Sequence, residues 1–333
     1  MKTLLFTVAS LFILSESFSQ NFKKDASIIM NSPKLSEIIQ KAARIEIIGE
    51  GFEWTEGPLW LPTENKLIFS DIPSNSIFEW TEKGGTKLYL KPAGYTGAEN
   101  RGGEAGSNGL LLNDKNELVL CQHGDRRMAK MNTPLLSPKA DFSNIADKYN
   151  GKRLNSPNDA IYDKNGNLYF TDPPYGLEKN DKDPLKELDF QGVYKVDKTG
   201  KITLLTKELS RPNGIAFSPD YKKLYVANSD PQKAIWMVYD VDENGLLKNG
   251  KLFFDATDKP KTLKGLPDGM KVHKNGWVFA TGPGGVLIFT PEGEHLGTIF
   301  TGETTSNCAF NADYSELFMT ADDYLVRVKL KKK

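Results

Sequence analysis

One short pattern recurs six times along this chain, and few folds accommodate six copies of one motif. Each copy opens with a small residue or proline, then a polar residue, often followed by glycine. An apolar strand comes next, then a tight turn, then a second strand. The first copy reads Thr55-Glu56-Gly57-Pro58-Leu59-Trp60, with Lys66-Leu67-Ile68-Phe69-Ser70-Asp71 behind it. The others open as Ser107-Asn108-Gly109-Leu110, Pro157-Asn158-Asp159-Ala160, Pro212-Asn213-Gly214-Ile215, Pro267-Asp268-Gly269-Met270 and Ser306-Asn307-Cys308-Ala309. The polar residues stand 52, 50, 55, 55 and 39 positions apart, close to the roughly 40–50 residues that a four-stranded propeller blade needs. The pattern predicts an all-β chain folded as a six-bladed β-propeller.

The last copy ends near Leu330 after three strands. Segment 44–48, just before the first copy, can supply the fourth strand and join the two ends of the ring, which removes an open sheet edge. One propeller domain is therefore expected over residues 42–333, with 20–41 as a partly helical leader. Residues 1–19 read as a signal peptide: Lys2, an apolar run from Leu4 to Leu14, and small residues Ser17 and Ser19 before a cut at Gln20. The expected location is periplasmic or secreted. That run is too short to span a bilayer, and no later segment is apolar enough, so no membrane insertion is expected. Forty-three basic and 43 acidic residues give no net charge, hence no long-range pull toward nucleic acid. Cys121 and Cys308 read equally well as buried thiols or as a disulfide. His273 and His295 fall in turns and read as surface.

In a propeller the first strand of each blade lines the central channel, so equivalent positions form a ring. Here the ring is Glu56, Asn108, Asn158, Asn213, Asp268 and Asn307, and every member carries a side-chain oxygen. Turn chemistry alone explains Asn-Gly at a few positions; it does not explain the same register six times. Two carboxylates among amide oxygens suit one hard divalent cation, calcium first. Magnesium and manganese are alternatives; zinc is less suited to a set without His or Cys. Second strands return to the same mouth, which brings Asp71, His123, Asp172, Asn228 and Thr281 to the rim. Segments 94–107 and 177–189 are expected to wall a pocket there. His123 is a candidate substrate ligand or proton shuttle, and Arg126 or Arg127 a candidate anion contact.

These residues resemble a known family. Glu56-Gly57-Pro58-Leu59-Trp60, Ser156-Pro157-Asn158-Asp159, Arg211-Pro212-Asn213-Gly214 and Pro267-Asp268-Gly269 are similar to the hallmarks of the gluconolactonase and senescence marker protein (regucalcin) family. The stretch 149–177 resembles its bacterial gluconolactonase branch. The resemblance implies a metal-dependent hydrolase that opens a sugar lactone, with one cation on Glu56, Asn213 and Asp268 and Asn158 beside it. It makes Asp268 the catalytic base. The expected substrate-contacting set is Asn158, Asn108, His123, Arg127, Asp172 and Tyr175. One departure bears on specificity: some members carry Arg two residues before the Asn matching Asn158, and here that position is Ser156. The alternatives are another metal-dependent esterase or phosphotriesterase on this scaffold, or a propeller that binds a sugar acid without turnover. Oligomeric state is not readable from the residues.

Overall fold

The second strand of each repeat is a run of consecutive apolar residues rather than an alternation. Leu67-Ile68-Phe69, Leu118-Val119-Leu120 and Leu168-Tyr169-Phe170 are buried at every position. Such strands need cover on both faces, and a ring of sheets packed face to face supplies it. A computed structural model describing residues 23, 25–99 and 102–332 shows this arrangement. The apolar N-terminal run and the expected cut at Ser19 lie outside the described residues.

The six blade sheets follow one another in sequence, with a small two-stranded hairpin, Lys148–Tyr149 and Lys152–Arg153, between blades 2 and 3. Blade 1 comprises Thr55–Leu61, Lys66–Asp71, Ser76–Thr81 and Gly85–Leu90. Blade 2 runs from Ser107–Leu112 to Phe142–Ala146, blade 3 from Ala160–Tyr162 to Ile202–Thr206, and blade 4 from Pro212–Phe217 to Leu247–Asp255. Blade 5 runs from Met270–Val272 to His295–Phe300. Blade 6 has Thr305–Phe310, Glu316–Ala321 and Tyr324–Lys329, and its fourth strand is Ile45–Glu50 from the other end of the chain. That strand pairs antiparallel with Tyr324–Lys329, Ile45 opposite Val328, so the predicted closure is present. Part of the expected leader joins the sheet as well: Ser27–Met30 adds a fifth strand to blade 5 along His295–Phe300, followed by a short 3-10 turn at Pro33–Glu37.

Among the described residues the buried apolar side chains group into six cores, one between each neighbouring pair of blades. The core between blades 6 and 1 seals the ring. There Phe318 stacks on Trp60 with ring centroids 5.4 Å apart and leans on Trp80 at 5.5 Å. Arg327 reinforces the same seam, paired with Glu46 at 2.8 Å and Glu316 at 3.1 Å and also with Glu82. Cys121 and Cys308 are buried free thiols. His273 is a correction to the sequence reading: it is 4% exposed, with its ring edge against Phe310 and Tyr314.

Candidate active site

Each ring residue sits where the innermost strand pair loses register. The ladder slips between Glu56 and Leu59, between Ser107 and Leu110, between Pro212 and Ile215, and between Thr305 and Asn307. In blades 3 and 5 it starts only after Asn158 and Asp268, at Ala160 and Met270. Such irregularities re-aim side chains, and here they turn the polar residue into the channel. The glycine after it has a packing cause. A Cβ on Gly57 would stand 2.1 Å from the backbone oxygen of Asn108, and one on Gly214 would stand 2.1 Å from that of Asp268. The inner strands of blades 1 and 2, and those of blades 4 and 5, are therefore too close for a side chain at that position.

The rim residues position the ring from behind. Asp71 accepts the backbone N–H of Glu53 and Trp54 at 3.1 and 3.0 Å. Asp172 accepts those of Asn155 and Ser156, both at 2.8 Å, and Asn228 Oδ1 accepts that of Arg211 at 2.8 Å. In three blades, then, a carboxylate or amide oxygen ties down the chain just before the ring residue. Burial pushes the Asp172 carboxyl up to about 7, offset in part by those two backbone donors.

The ring floors a cavity of about 480 Å³. Glu56, Asn108, Asn158, Asn213 and Asp268 line it, together with Tyr175. Asn158 Oδ1 and Asp268 Oδ1 are buried without a hydrogen-bond partner among the described residues. Asn213 is oriented: its Nδ2 donates to Ser229 Oγ at 3.1 Å, and Ser229 Oγ donates to the Pro267 carbonyl. This leaves Asn213 Oδ1 free to face the channel. Asn307 plays the opposite part. Its Oδ1 accepts from Cys308 N–H at 2.9 Å and Lys271 Nζ at 3.3 Å, and its side chain hydrogen-bonds Glu56. It does not line the cavity.

Charge at the floor is unbalanced. Burial, then the charge of Asp159, pushes the Glu56 carboxyl up to about 8. Asp268 is held well above the usual carboxylate range by burial, then by the charges of Glu56, Asp159 and Glu104. Buried like charges favour neutralisation unless a countercharge arrives. No group of three His, Cys, Asp or Glu side chains able to hold a metal forms among the described residues. The fitting donors are instead two carboxylates and two amide oxygens, an oxygen-only set suited to a hard cation.

Three expected substrate contacts lie elsewhere. Asp172 is occupied by backbone amides, as above. Arg127 Nε donates to Gln122 Oε1 at 2.7 Å and its Nη2 to Asp125 Oδ2 at 3.0 Å. His123 is fully buried behind the wall, its Nδ1 2.9 Å from Glu104 Oε2. Arg126 is buried and donates to the carbonyls of Leu154, Asn155 and Leu185, so it anchors the 177–189 segment. That segment does not reach the cavity, whereas 94–107 does, through Glu104.

Several residues of the site escaped the sequence pattern. Asp159 carries an unpartnered buried Oδ2; the available signal was an acid where four other copies have glycine. Trp54, Leu263 and Leu266 add apolar surface to the lining, and Lys264 a charge. The 260–266 part of that lining begins in a short 3-10 turn at Lys259–Lys261 and carries no repeat signature.

A family model described as the SMP-30/gluconolactonase/LRE-like region matches residues 54–323. This chain belongs to that family. It is 41% identical over 311 residues to a gluconolactonase of Zymomonas mobilis, covering 90% of this chain and 85% of the relative. Among solved structures it resembles a gluconolactonase from Xanthomonas campestris at a TM-score of 0.78 and 28% identity, over 92% of this chain and 95% of that one. A calcium-binding regucalcin from Agrobacterium tumefaciens shares the fold at a TM-score of 0.65 and 18% identity, over 86% and 94% of the two chains.

Proposed function

We propose that this chain hydrolyses the ester bond of a sugar lactone in the channel cavity, with a divalent cation, calcium first, held by Glu56, Asn213, Asp268 and Asn158. One observation carries the reading. Two buried carboxylates that repel one another share a cavity floor with the unpartnered amide oxygen of Asn158, in a chain 41% identical to a gluconolactonase. A cation bound there supplies the countercharge and polarises the lactone carbonyl.

The chain's own residues supply the rest. Asp268, with a free oxygen facing the cavity, accepts a proton from the water that attacks the carbonyl carbon. As the acyl–oxygen bond breaks, that proton passes to the departing ring oxygen, giving the hydroxy acid. The Tyr175 hydroxyl donates to the Ser229 carbonyl at 3.3 Å, which ties the cavity wall to the residue that orients Asn213. The Trp54, Leu263 and Leu266 wall covers the carbon face of a small ring and limits water to the polar floor.

The test is a pH-indicator assay on aldonolactones. Chelator-treated protein should lose activity and regain it with calcium, and Asp268→Asn should lower kcat by about 10²–10⁴-fold. Full turnover in either case refutes the mechanism; saturable binding without turnover favours a sugar-acid binder. The N-terminal run motivates a proposal of export, which N-terminal sequencing of the protein from fractionated cells checks: a mature chain starting at Gln20 supports it, and an intact Met1 rejects it.

A further inference from the structure

We propose that Glu104 is a substrate-contacting residue that accepts hydrogen bonds from the ring hydroxyls of a polyhydroxylated lactone, and that His123 positions it. This rests on the lactone-hydrolase reading and assigns the specificity of that same cavity.

Glu104 lines the cavity with about a third of its side chain exposed, so it is open to a ligand and partly shielded from bulk water. It stands apart from the floor set of Glu56, Asn158, Asn213 and Asp268, in the segment leading into blade 2. Its charge reaches the floor: it raises the proton affinity of both Glu56 and Asp268. Behind it His123 is fully buried, with Nδ1 2.9 Å from Glu104 Oε2 but not aligned with it as a hydrogen bond, so neither ring nitrogen has a hydrogen-bond partner among the described residues. A buried imidazole whose ring nitrogen stands 2.9 Å from a cavity carboxylate is placed to position it.

The backbone fixes both members from one point. Gly106, two residues past Glu104, donates its N–H to Ile72 O at 2.9 Å, and its carbonyl accepts His123 N–H at 3.2 Å. Ala93, Gly94 and Tyr95 are held by Asn75 Oδ1 at 3.1, 2.7 and 3.2 Å. Gly94 lies so close to Gly106 that a Cβ there would stand 1.9 Å from its carbonyl carbon. The stem of the segment is thus clamped, and Glu104 projects from a fixed base.

The chemistry selects the ligand. An ionised carboxylate accepts hydrogen bonds and cannot donate them, so it recognises hydroxyls. It repels an anion, so it suits a neutral polyhydroxylated lactone better than the acid formed from it. The apolar lining residues Trp54, Leu263 and Leu266 offer cover for a carbon face. The cavity lining therefore combines a hydroxyl-reading carboxylate with apolar side chains, to match the two kinds of surface that a sugar ring presents.

The experiment compares glucono-δ-lactone with δ-valerolactone, which has the same ring without hydroxyls, for wild type, Glu104→Gln, Glu104→Ala and His123→Gln. Glu104→Ala should lower kcat/KM on the hydroxylated lactone about 10- to 100-fold, the range of a charge-assisted hydrogen bond, and at least tenfold more than on δ-valerolactone. His123→Gln should raise KM for the hydroxylated lactone with a smaller change in kcat, and Glu104→Gln should fall between. Equal losses on both lactones, or no loss, overturn the proposal. Calorimetric binding of the unhydrolysable glucono-δ-lactam and δ-valerolactam separates this inference from the hydrolase reading. Binding of the hydroxylated lactam that weakens in Glu104→Ala, without lactone turnover, keeps the Glu104 assignment and rejects the hydrolase. Lactam binding indifferent to Glu104 rejects the assignment whatever the activity.

Discussion

Glu56 and Asp268 should make this protein lose stability as pH rises when no cation is present. Glu56 is pushed from an ordinary 4.5 to about 8, chiefly by burial, and Asp268 is displaced in the same direction. Below about pH 4.5 folded and unfolded chains both hold the Glu56 proton, and the group makes no difference. Between that point and about 8 the unfolded chain releases the proton while the folded chain keeps it, so folding is progressively disfavoured. Above about 8 both are ionised and the loss is complete. At about 1.4 kcal/mol per pH unit, the Glu56 displacement bounds the loss at ~5 kcal/mol, or roughly 10 °C in Tm. A divalent cation that binds the ionised ring only in the folded state acts the other way, by RT ln(1 + [L]/Kd). Thermal melts at about pH 5, 6.5 and 8, with chelator and with calcium, read both effects. The chelated Tm should fall by several degrees across that range, and the gain from calcium should be smallest at the acid end and largest near pH 8. A chelated Tm that is flat, or a calcium gain equal at every pH, would refute the reasoning that these two acids are the cation's ligands.

Ser229→Ala removes the acceptor of the Asn213 Nδ2 hydrogen and lets that amide turn; calcium affinity by calorimetry should drop about 10- to 100-fold, as for other residues that orient a ligand, with the fold intact by circular dichroism. Gly214→Ala drives a Cβ to 2.1 Å from the Asp268 carbonyl, and a core with no room to give should lose about 1–3 kcal/mol in denaturant melts; an unchanged midpoint would mean that the inner strands separate freely. Asp172→Ala leaves the Asn155 and Ser156 amides without their acceptor, which should cost about 2–6 kcal/mol in denaturant melts at roughly 1–3 kcal/mol for each buried unsatisfied group.

How much of this was legible in the residues varies along the chain. The six-fold repeat and the missing fourth strand were enough to predict the ring and its closure by segment 44–48, because a blade cannot bury its two faces alone and the pattern must recur until the circle is complete. The ring of polar residues was legible for the same reason: a fixed register in equivalent blades means a common direction. The glycine beside four of the six ring residues was visible, but its cause, inner strands in near contact at Gly57 and Gly214, belongs to the circle and to no single repeat.

The rim divided differently. Sequence order places Asp172, Arg127, Tyr175 and His123 near one mouth with equal weight. The tertiary structure separates them: Asp172 faces backbone amides, Arg127 pairs within its own turn, His123 lies behind Glu104, and Tyr175 alone of the four lines the cavity. Side-chain direction at a strand end depends on which donors the neighbouring loop offers, and loops carry no periodicity. The wall at 260–266 and the place of Glu104 were decided in the same way, by where irregular segments come to rest on the ring. Chain periodicity thus determined the scaffold and the oxygen-rich floor. Only the packed structure decided which side chains stand over that floor, because their positions depend on contacts between blades far apart in sequence.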